Sequence, residues 1–226
     1  MQKRRYTDDY LHVGHRRRLV QLLRGKGVSD EAVLAAIARV PRHWFVAPVH
    51  EARAYEDRAL PIAEGQTISQ PLTVALQSSW LAADETHKIL EVGTGSGYQA
   101  AVLATMGLRV YTLERQEGLY ARTSRLLRQL RFGRVRCFLQ DGFKGLPAYA
   151  PFDRILVTAG AGEVPPALLS QLAVGGQLII PLGEGSQVMH RVTHVRPGDF
   201  ETEALGRFRF VPFRQGIAWR ERRGAA

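Results

Sequence analysis

A chain of 226 residues, 45% hydrophobic and 23% charged, is long enough for one large core and lacks the polar bias of a disordered segment. No apolar run reaches the ~20 residues that a membrane-crossing helix needs, and a single cysteine, Cys137, excludes an intrachain disulfide or a cysteine metal cluster. The 31 Lys and Arg against 21 Asp and Glu leave a net +10, which keeps phosphate backbones and acidic surfaces in view as partners.

The N-terminus, Met1-Gln2-Lys3-Arg4-Arg5-Tyr6, leads into Asp8 and Asp9 rather than an apolar signal core, so a cytoplasmic protein is expected. Much of the charge excess lies at the ends, in Lys3, Arg4, Arg5 and Arg16 to Arg18 and in Arg220, Arg222 and Arg223. No stacking aromatics are interleaved with these residues, which reads as solvated basic termini rather than a nucleic-acid footprint.

Over residues 8–24 the apolar positions Leu11, Leu19, Val20, Leu22 and Leu23 predict a helix stopped by Gly25 and Gly27. Ser29 is placed to cap a second helix through Val33, Leu34, Ile37 and Val40, which Pro41 ends. His43 follows at the exit of that helix; the sequence gives it no partner, and a structural role is expected. Residues 1–50 thus form a helical extension, and residues 51–226 the rest of one single domain.

A polar stretch, Gly65-Gln66-Thr67-Ile68-Ser69-Gln70-Pro71, precedes an apolar helix through Val74, Leu76, Trp80 and Leu81. Proline suits the first helical turn, where its missing N–H would have no partner anyway, and this sets Ser69 at a helix N-terminus. There a serine either caps the helix or, with free N–H groups and the positive dipole end, helps to hold a carboxylate.

From residue 88 short apolar runs alternate with longer amphipathic stretches, as parallel strands joined by crossover helices do. Strands are expected at 89–92, 110–114, 135–139, 154–158 and 177–181, with helices around 98–105, 117–130 and 165–173, the last closed by Gly175-Gly176. Cys137 reads as a buried thiol in the third of these strands. From Val188 to Phe213 the chain alternates apolar and polar residues about Pro197-Gly198-Asp199, as an antiparallel pair would. The fold class is α/β: a doubly wound, mostly parallel sheet with antiparallel C-terminal strands, preceded by short helices.

Glu91-Val92-Gly93-Thr94-Gly95-Ser96-Gly97-Tyr98 turns directly from the first strand into a helix, where glycines let the backbone approach a ligand closely. Glu114 ends the next strand, about 20 residues on, where a carboxylate can accept from ribose hydroxyls. Asp141-Gly142 follows the third strand, where an acceptor can meet an adenine amino group. Together these surround an adenosine. The dinucleotide fingerprint wants its third glycine where this chain has Tyr98. The run here is G-x-G-x-G, and a methionine tail, which needs no diphosphate cradle, explains the departure.

With an acid two residues before Gly93, this loop resembles the first motif of the class I methyltransferases. The stretch 65–71 and the run from Glu91 to Ala101 resemble, more specifically, the protein-L-isoaspartate O-methyltransferase family. Val40-Pro41-Arg42-His43, Pro151-Phe152-Asp153, Gly175-Gly176 and Arg209-Phe210-Val211-Pro212 agree, and the likeness runs from about residue 19 to residue 213. It implies S-adenosyl-L-methionine as cofactor, held by Glu91, Gly93, Thr94, Gly95, Ser96, Gly97, Glu114, Asp141 and Gly142. It further implies an L-isoaspartyl carboxylate as acceptor, bound by Thr67, Ile68 and Ser69, with Ser69 as the active-site residue. Damaged proteins and peptides are then the partners of a metal-free, monomeric repair enzyme. After Pro212 come Phe213 and Arg214, where some relatives offer a threonine, and no contact is carried over there.

The rival reading is an RNA methyltransferase, favoured by charge and by a shared cofactor fold. Against it, Cys137 lies in a strand pattern rather than beside a loop proline, and Ala159-Gly160-Ala161 stands where an Asn-Pro-Pro-aromatic run is expected.

Overall fold

Asp9 caps the first helix: its carboxylate accepts the His12 amide at 3.0 Å, and α1 (Tyr10–Gly25) runs until Gly27, at φ +91, turns the chain back. The computed structural model describes residues 6–219. The second helix, α2 (Glu31–Arg39), is capped by Asp30 and not by Ser29: the Asp30 carboxylate sits in extended backbone one residue later and accepts the Val33 amide at 3.1 Å. Of the basic residues read as solvated, Arg16 is buried. Its guanidinium grips both Asp8 oxygens at 2.6 and 2.7 Å and the Ala38 carbonyl at 2.8 Å, tying α1 to the end of α2. Lys3, Arg4, Arg5, Arg220, Arg222 and Arg223 lie outside the described residues.

A two-stranded hairpin, β1 (Leu60–Pro61) with β2 (Thr67–Ile68), leads into α3 (Pro71–Trp80). The main sheet has seven strands: β3 (Lys88–Val92), β4 (Arg109–Glu114), β5 (Val135–Leu139), β6 (Phe152–Val157), β7 (Leu172–Leu182), β8 (Gln187–Arg196) and β9 (Asp199–Phe208). Their spatial order is β5-β4-β3-β6-β7-β8-β9, parallel through β7 and antiparallel beyond. The order reverses at β3, so the crevice at its C-terminal end is where such a sheet takes a ligand.

Helices α4 (Tyr98–Thr105) and α5 (Glu117–Gln129) make the first two crossovers, as the sequence predicts. Leu23, Leu34 and Ile37 from the N-terminal helices pack with Val74, Tyr98, Val102 and Leu127, so the extension shares its core with the crossover helices. Each such side chain contributes roughly 1.5–3 kcal/mol by leaving water.

The last expected helix forms but is shorter than the spacing predicts. It is α6 (Pro166–Ser170), and Gly175-Gly176 lies inside β7 instead of closing a helix. Phe152 pairs with Leu172 and Arg154 with Gln177, so residues 173–176 bulge out of the ladder, with Gly175 at φ +79. Leu168 and Leu169 lie in α6, whereas Leu172, which continues the helical spacing, is drawn into β7 by its pairing with Phe152. The antiparallel pair β8 and β9 turns at Pro197-Gly198, as expected. Cys137 does lie in β5 but is only half-buried; burial still pushes its thiol up to about 12, which keeps it protonated at neutral pH.

Candidate active site

The glycine loop follows β3 without a break. Gly93 and Thr94 both donate their amides to the Leu113 carbonyl, at 2.9 and 3.0 Å, and the Thr94 hydroxyl meets that of Thr112 at 2.7 Å. A Cβ on Gly93, at φ +102, would collide with the Thr158 hydroxyl, which donates to the Val92 and Gly93 carbonyls. Gly95 is different. At φ +50 a Cβ there would meet nothing nearer than the Ile62 methyl at 3.8 Å, so the protein leaves its outer side open.

Three acids predicted for this region end in three different environments. Glu114 is buried at the end of β4, its oxygens accepting the Gly95 and Gln116 amides, each at 2.9 Å. Burial raises its pKa while those amides pull the other way. Asp141 accepts the Phe143 amide at 3.0 Å and the Gly216 amide at 2.9 Å, so its carboxylate braces its own turn and a segment 75 residues away. Glu91 lies in the protein interior, beside Thr112, its partner on β4. It is fully buried, neither oxygen has a partner in hydrogen-bonding geometry, and burial pushes its carboxyl up to about 8, which the neighbouring Thr112 hydroxyl offsets only in part. At neutral pH Glu91 is a neutral acid beneath the loop.

These elements enclose a solvent-open cleft of about 870 Å³. Gly93, Thr94, Gly95, Ser96, Glu114 and Gly142 line it, and so do Thr67, Ile68 and Ser69. Glu91, Gly97 and Asp141 are not on its wall; Gly97, at φ +84, caps α4 behind the loop. Sequence reasoning missed the segment from Val211 to Arg214, which forms another wall. Gly160 exchanges hydrogen bonds with Val211 and Phe213 at 2.8 and 2.7 Å, and the Phe213 ring stacks 4.1 Å from that of Phe143. Beyond it Arg115 Nε donates to the Gly216 carbonyl at 2.8 Å, and Ala218 bonds Arg115 and Glu117 through its backbone. No periodicity marks so irregular a segment, although Arg209-Phe210-Val211-Pro212 stood out by resemblance.

Ser69 is not the helix cap. Gln70 holds that position, and the first free amide of α3, that of Leu72, is taken by Asp57 Oδ1 at 2.8 Å. Asp57 Oδ2 accepts from Lys26 at 2.7 Å and from Gln70 at 3.1 Å. The helix N-terminus therefore already holds a carboxylate, the protein's own. Among the described residues the Ser69 hydroxyl has no hydrogen-bond partner, and it faces the cleft half-exposed.

Residues 14–218 match the family model described as protein-L-isoaspartate(D-aspartate) O-methyltransferase. Proteins named protein-L-isoaspartate O-methyltransferase from Christiangramia forsetii and Flavobacterium johnsoniae are 50% and 51% identical over 205 residues, each alignment covering 91% of this chain and 96% of the relative. The chain belongs to the protein-L-isoaspartate O-methyltransferase family. It is thereby an enzyme that methylates protein carboxyl groups.

A solved protein-L-isoaspartate O-methyltransferase superposes with a TM-score of 0.79 at 30% identity, covering 87% of this chain and 65% of the longer one. A Plasmodium falciparum structure of that type, in complex with S-adenosyl-L-homocysteine, shares the fold at a TM-score of 0.78 and 24% identity, covering 88% of this chain and 98% of its own. The family match extends past the likeness read from the motifs, from residue 19 back to 14 and from 213 on to 218. The residues added at the C-terminal end include Gly216, which bonds Asp141 and Arg115, and those added at the other end include Arg16, which holds Asp8.

His43, for which the sequence offered no partner, has several. Its Nε2 meets the Thr7 carbonyl at 2.9 Å and must carry the proton, so Nδ1 accepts from the Tyr55 hydroxyl at 2.6 Å. Its ring stacks on that of His12 at 3.7 Å, and neither ring lines the cleft. Burial lowers its pKa and favours this neutral form.

Proposed function

We propose that this enzyme transfers a methyl group from S-adenosylmethionine to the free carboxylate of L-isoaspartyl residues, with Ser69 positioning the acceptor in the cleft that it shares with Glu114. One observation carries the reading: a half-exposed hydroxyl with no partner among the described residues shares one cleft with the glycine loop and the buried acid that suit an adenosine. Glu114 keeps lone pairs beyond those used by Gly95 and Gln116, and these suit ribose hydroxyls. The open side of Gly95 suits close approach of the ligand. Thr94, Ser96 and Gly142 complete that wall. Asp141, engaged by two amides, acts through the Phe143 turn and the residue 216 segment that it braces.

When bound, S-adenosylmethionine supplies an electrophilic methyl carbon on a sulfonium leaving group. The protein's contribution is placement. An isoaspartyl carboxyl with an ordinary pKa near ~4 is ionised at neutral pH and needs no base. The Ser69 hydroxyl donates to one carboxylate oxygen and leaves the other free to attack; Thr67 and Ile68, held by pairing with β1, fix the direction of approach. Methylation prepares the side chain for succinimide closure and partial return to aspartate.

The test is methyl transfer from labelled S-adenosylmethionine to an isoaspartyl peptide beside its normal aspartyl twin. Transfer to the first alone is expected; transfer to neither, or to RNA instead, overturns the reading. The same proposal takes the enzyme to be monomeric and cytosolic, checked by light scattering and fractionation. No helix among the described residues is long and apolar enough to cross a membrane.

A further inference from the structure

A second cleft opens on the far side of Ser69. It holds about 1210 Å³ of solvent-open space and shares Thr67, Ser69, Thr158 and Val211 with the first, so the two meet at the proposed acceptor position. Its outer wall is the end of β9 and the residues after it, Arg207-Phe208-Arg209-Phe210. The period-two alternation of extended chain divides these four residues. Phe208 and Phe210 pack against the buried cluster of Leu81, Ile89, Leu156, Ile179 and Met189, where Phe208 meets Trp80 edge-on at 5.7 Å. The Phe210 amide donates to Gln187 Oε1 at 2.8 Å and anchors the strand end. Arg207 and Arg209 remain exposed at the cleft.

Neither arginine has an ion pair among the described residues, whereas nearby β-strand arginines do: Arg191 pairs with Glu203 and Arg196 with Asp199. The described residues that line the cleft include no acid. Two unpaired guanidiniums over a half-apolar floor, opening onto the place where a side-chain carboxylate is to be held, form a surface for a chain that carries further negative charge.

We infer that this cleft receives the polypeptide on either side of the acceptor residue, and that Arg207 and Arg209 make the enzyme prefer isoaspartyl sites with acidic neighbours. The inference rests on the proposed acceptor role of Ser69. The backbone on both sides of a bound isoaspartate must leave the first cleft, and the second adjoins it at Ser69. Exposed arginines act mainly on encounter and on ground-state binding, so the preference falls in KM more than in kcat and fades with salt over the Debye length.

The experiment compares isoaspartyl peptides that differ only in the flanking residues, glutamate, alanine or lysine, for the wild type and for R207E/R209E. At low ionic strength kcat/KM is expected to be about ten-fold higher for the glutamate than for the lysine peptide, to converge by about 0.5 M salt, and to invert in the variant. S-adenosylmethionine affinity by calorimetry reports whether the variant is folded; if it is not, the single changes R207Q and R209Q, which keep the strand's packing, are each expected to reduce the preference. Equal kcat/KM across peptides, or a preference untouched by these changes, overturns the inference and leaves the methyl-transfer reading intact. Failure to methylate any of the peptides overturns that reading instead. If a single-stranded oligonucleotide inhibits the wild type but not R207E/R209E, and the peptides show no charge preference, the arginines serve a phosphate backbone and the inference is again overturned.

Discussion

The two walls of the cleft proposed as the active site, one assigned to the cofactor and one to the acceptor, are built in opposite ways. The cofactor wall belongs to the sheet: Gly93, Thr94 and Glu114 are fixed by β3 and β4, by Thr158 and by amides that converge on buried acceptors. The acceptor wall is a hairpin of two-residue strands, positioned by one carboxylate, Asp57, that gathers Lys26, Gln70 and the Leu72 amide. On the proposed assignment a small molecule of fixed shape meets a rigid socket, and a polypeptide acceptor of variable sequence meets a short, half-exposed edge. Substitutions on the first wall should therefore cost stability and cofactor binding together, and those on the second should change turnover alone.

The sharpest break is expected at Gly93. Gly93→Ala forces a Cβ against Thr158 in a backbone region that L side chains avoid, at a cost of about 3 kcal/mol or more, read as a fall in melting temperature together with loss of S-adenosylmethionine binding. Gly95→Val strains the backbone too, at φ +50, but meets no protein atom closer than 3.8 Å, so binding should weaken at least about 100-fold with a smaller loss of stability than at Gly93. Intact binding in folded Gly95→Val would remove the loop from the cofactor site.

Glu91 tests the wall from beneath. Its folded-state pKa of about 8 lies above the ordinary 4.5, so the folded protein keeps a proton that the unfolded chain releases. That contribution is complete below about pH 4.5 and is lost as pH rises towards 8. Glu91→Gln should lie close to the wild type near pH 5 and exceed it near pH 9 by on the order of 4 kcal/mol. Parallel pH–stability curves for the two proteins would sink the assignment of a buried neutral acid.

Asp141→Ala leaves the Phe143 and Gly216 amides without their acceptor. A loss of about 1–3 kcal/mol is expected, divided between weaker cofactor affinity and faster hydrogen exchange at residue 216. The smallest free-energy change belongs to the other wall. Ser69→Ala should reduce methyl transfer about ten-fold while melting and cofactor affinity stay nearly unchanged, since the hydroxyl caps nothing. A lowered melting temperature with full turnover would reverse its role.

The sequence made the periodic parts legible. Parallel strands announced themselves as apolar runs, and the loop from Gly93 to Gly97 as a turn that only glycines fit. What misled was local ambiguity: Ser29 and Asp30 are both capping residues, and Gly175-Gly176 serves a bulge as readily as a helix stop. The wall from Val211 to Arg214 was invisible because it is held by backbone bonds to Gly160 and by ring packing, neither of which leaves a repeat. The burial of Glu91 was equally hidden, since a motif records that an acid is present and not which way it points.

Gly216 reaches Asp141 across 75 residues, and Arg115 reaches Gly216 across 101. Contacts so distant along the chain form late, after shorter loops have closed. During synthesis the glycine loop leaves the ribosome long before the strand ends and tail that face it. The nascent polypeptide can thus build most of its sheet without owning a finished cleft, and methyl-donor binding becomes a mark of a chain whose distal residues have arrived and docked.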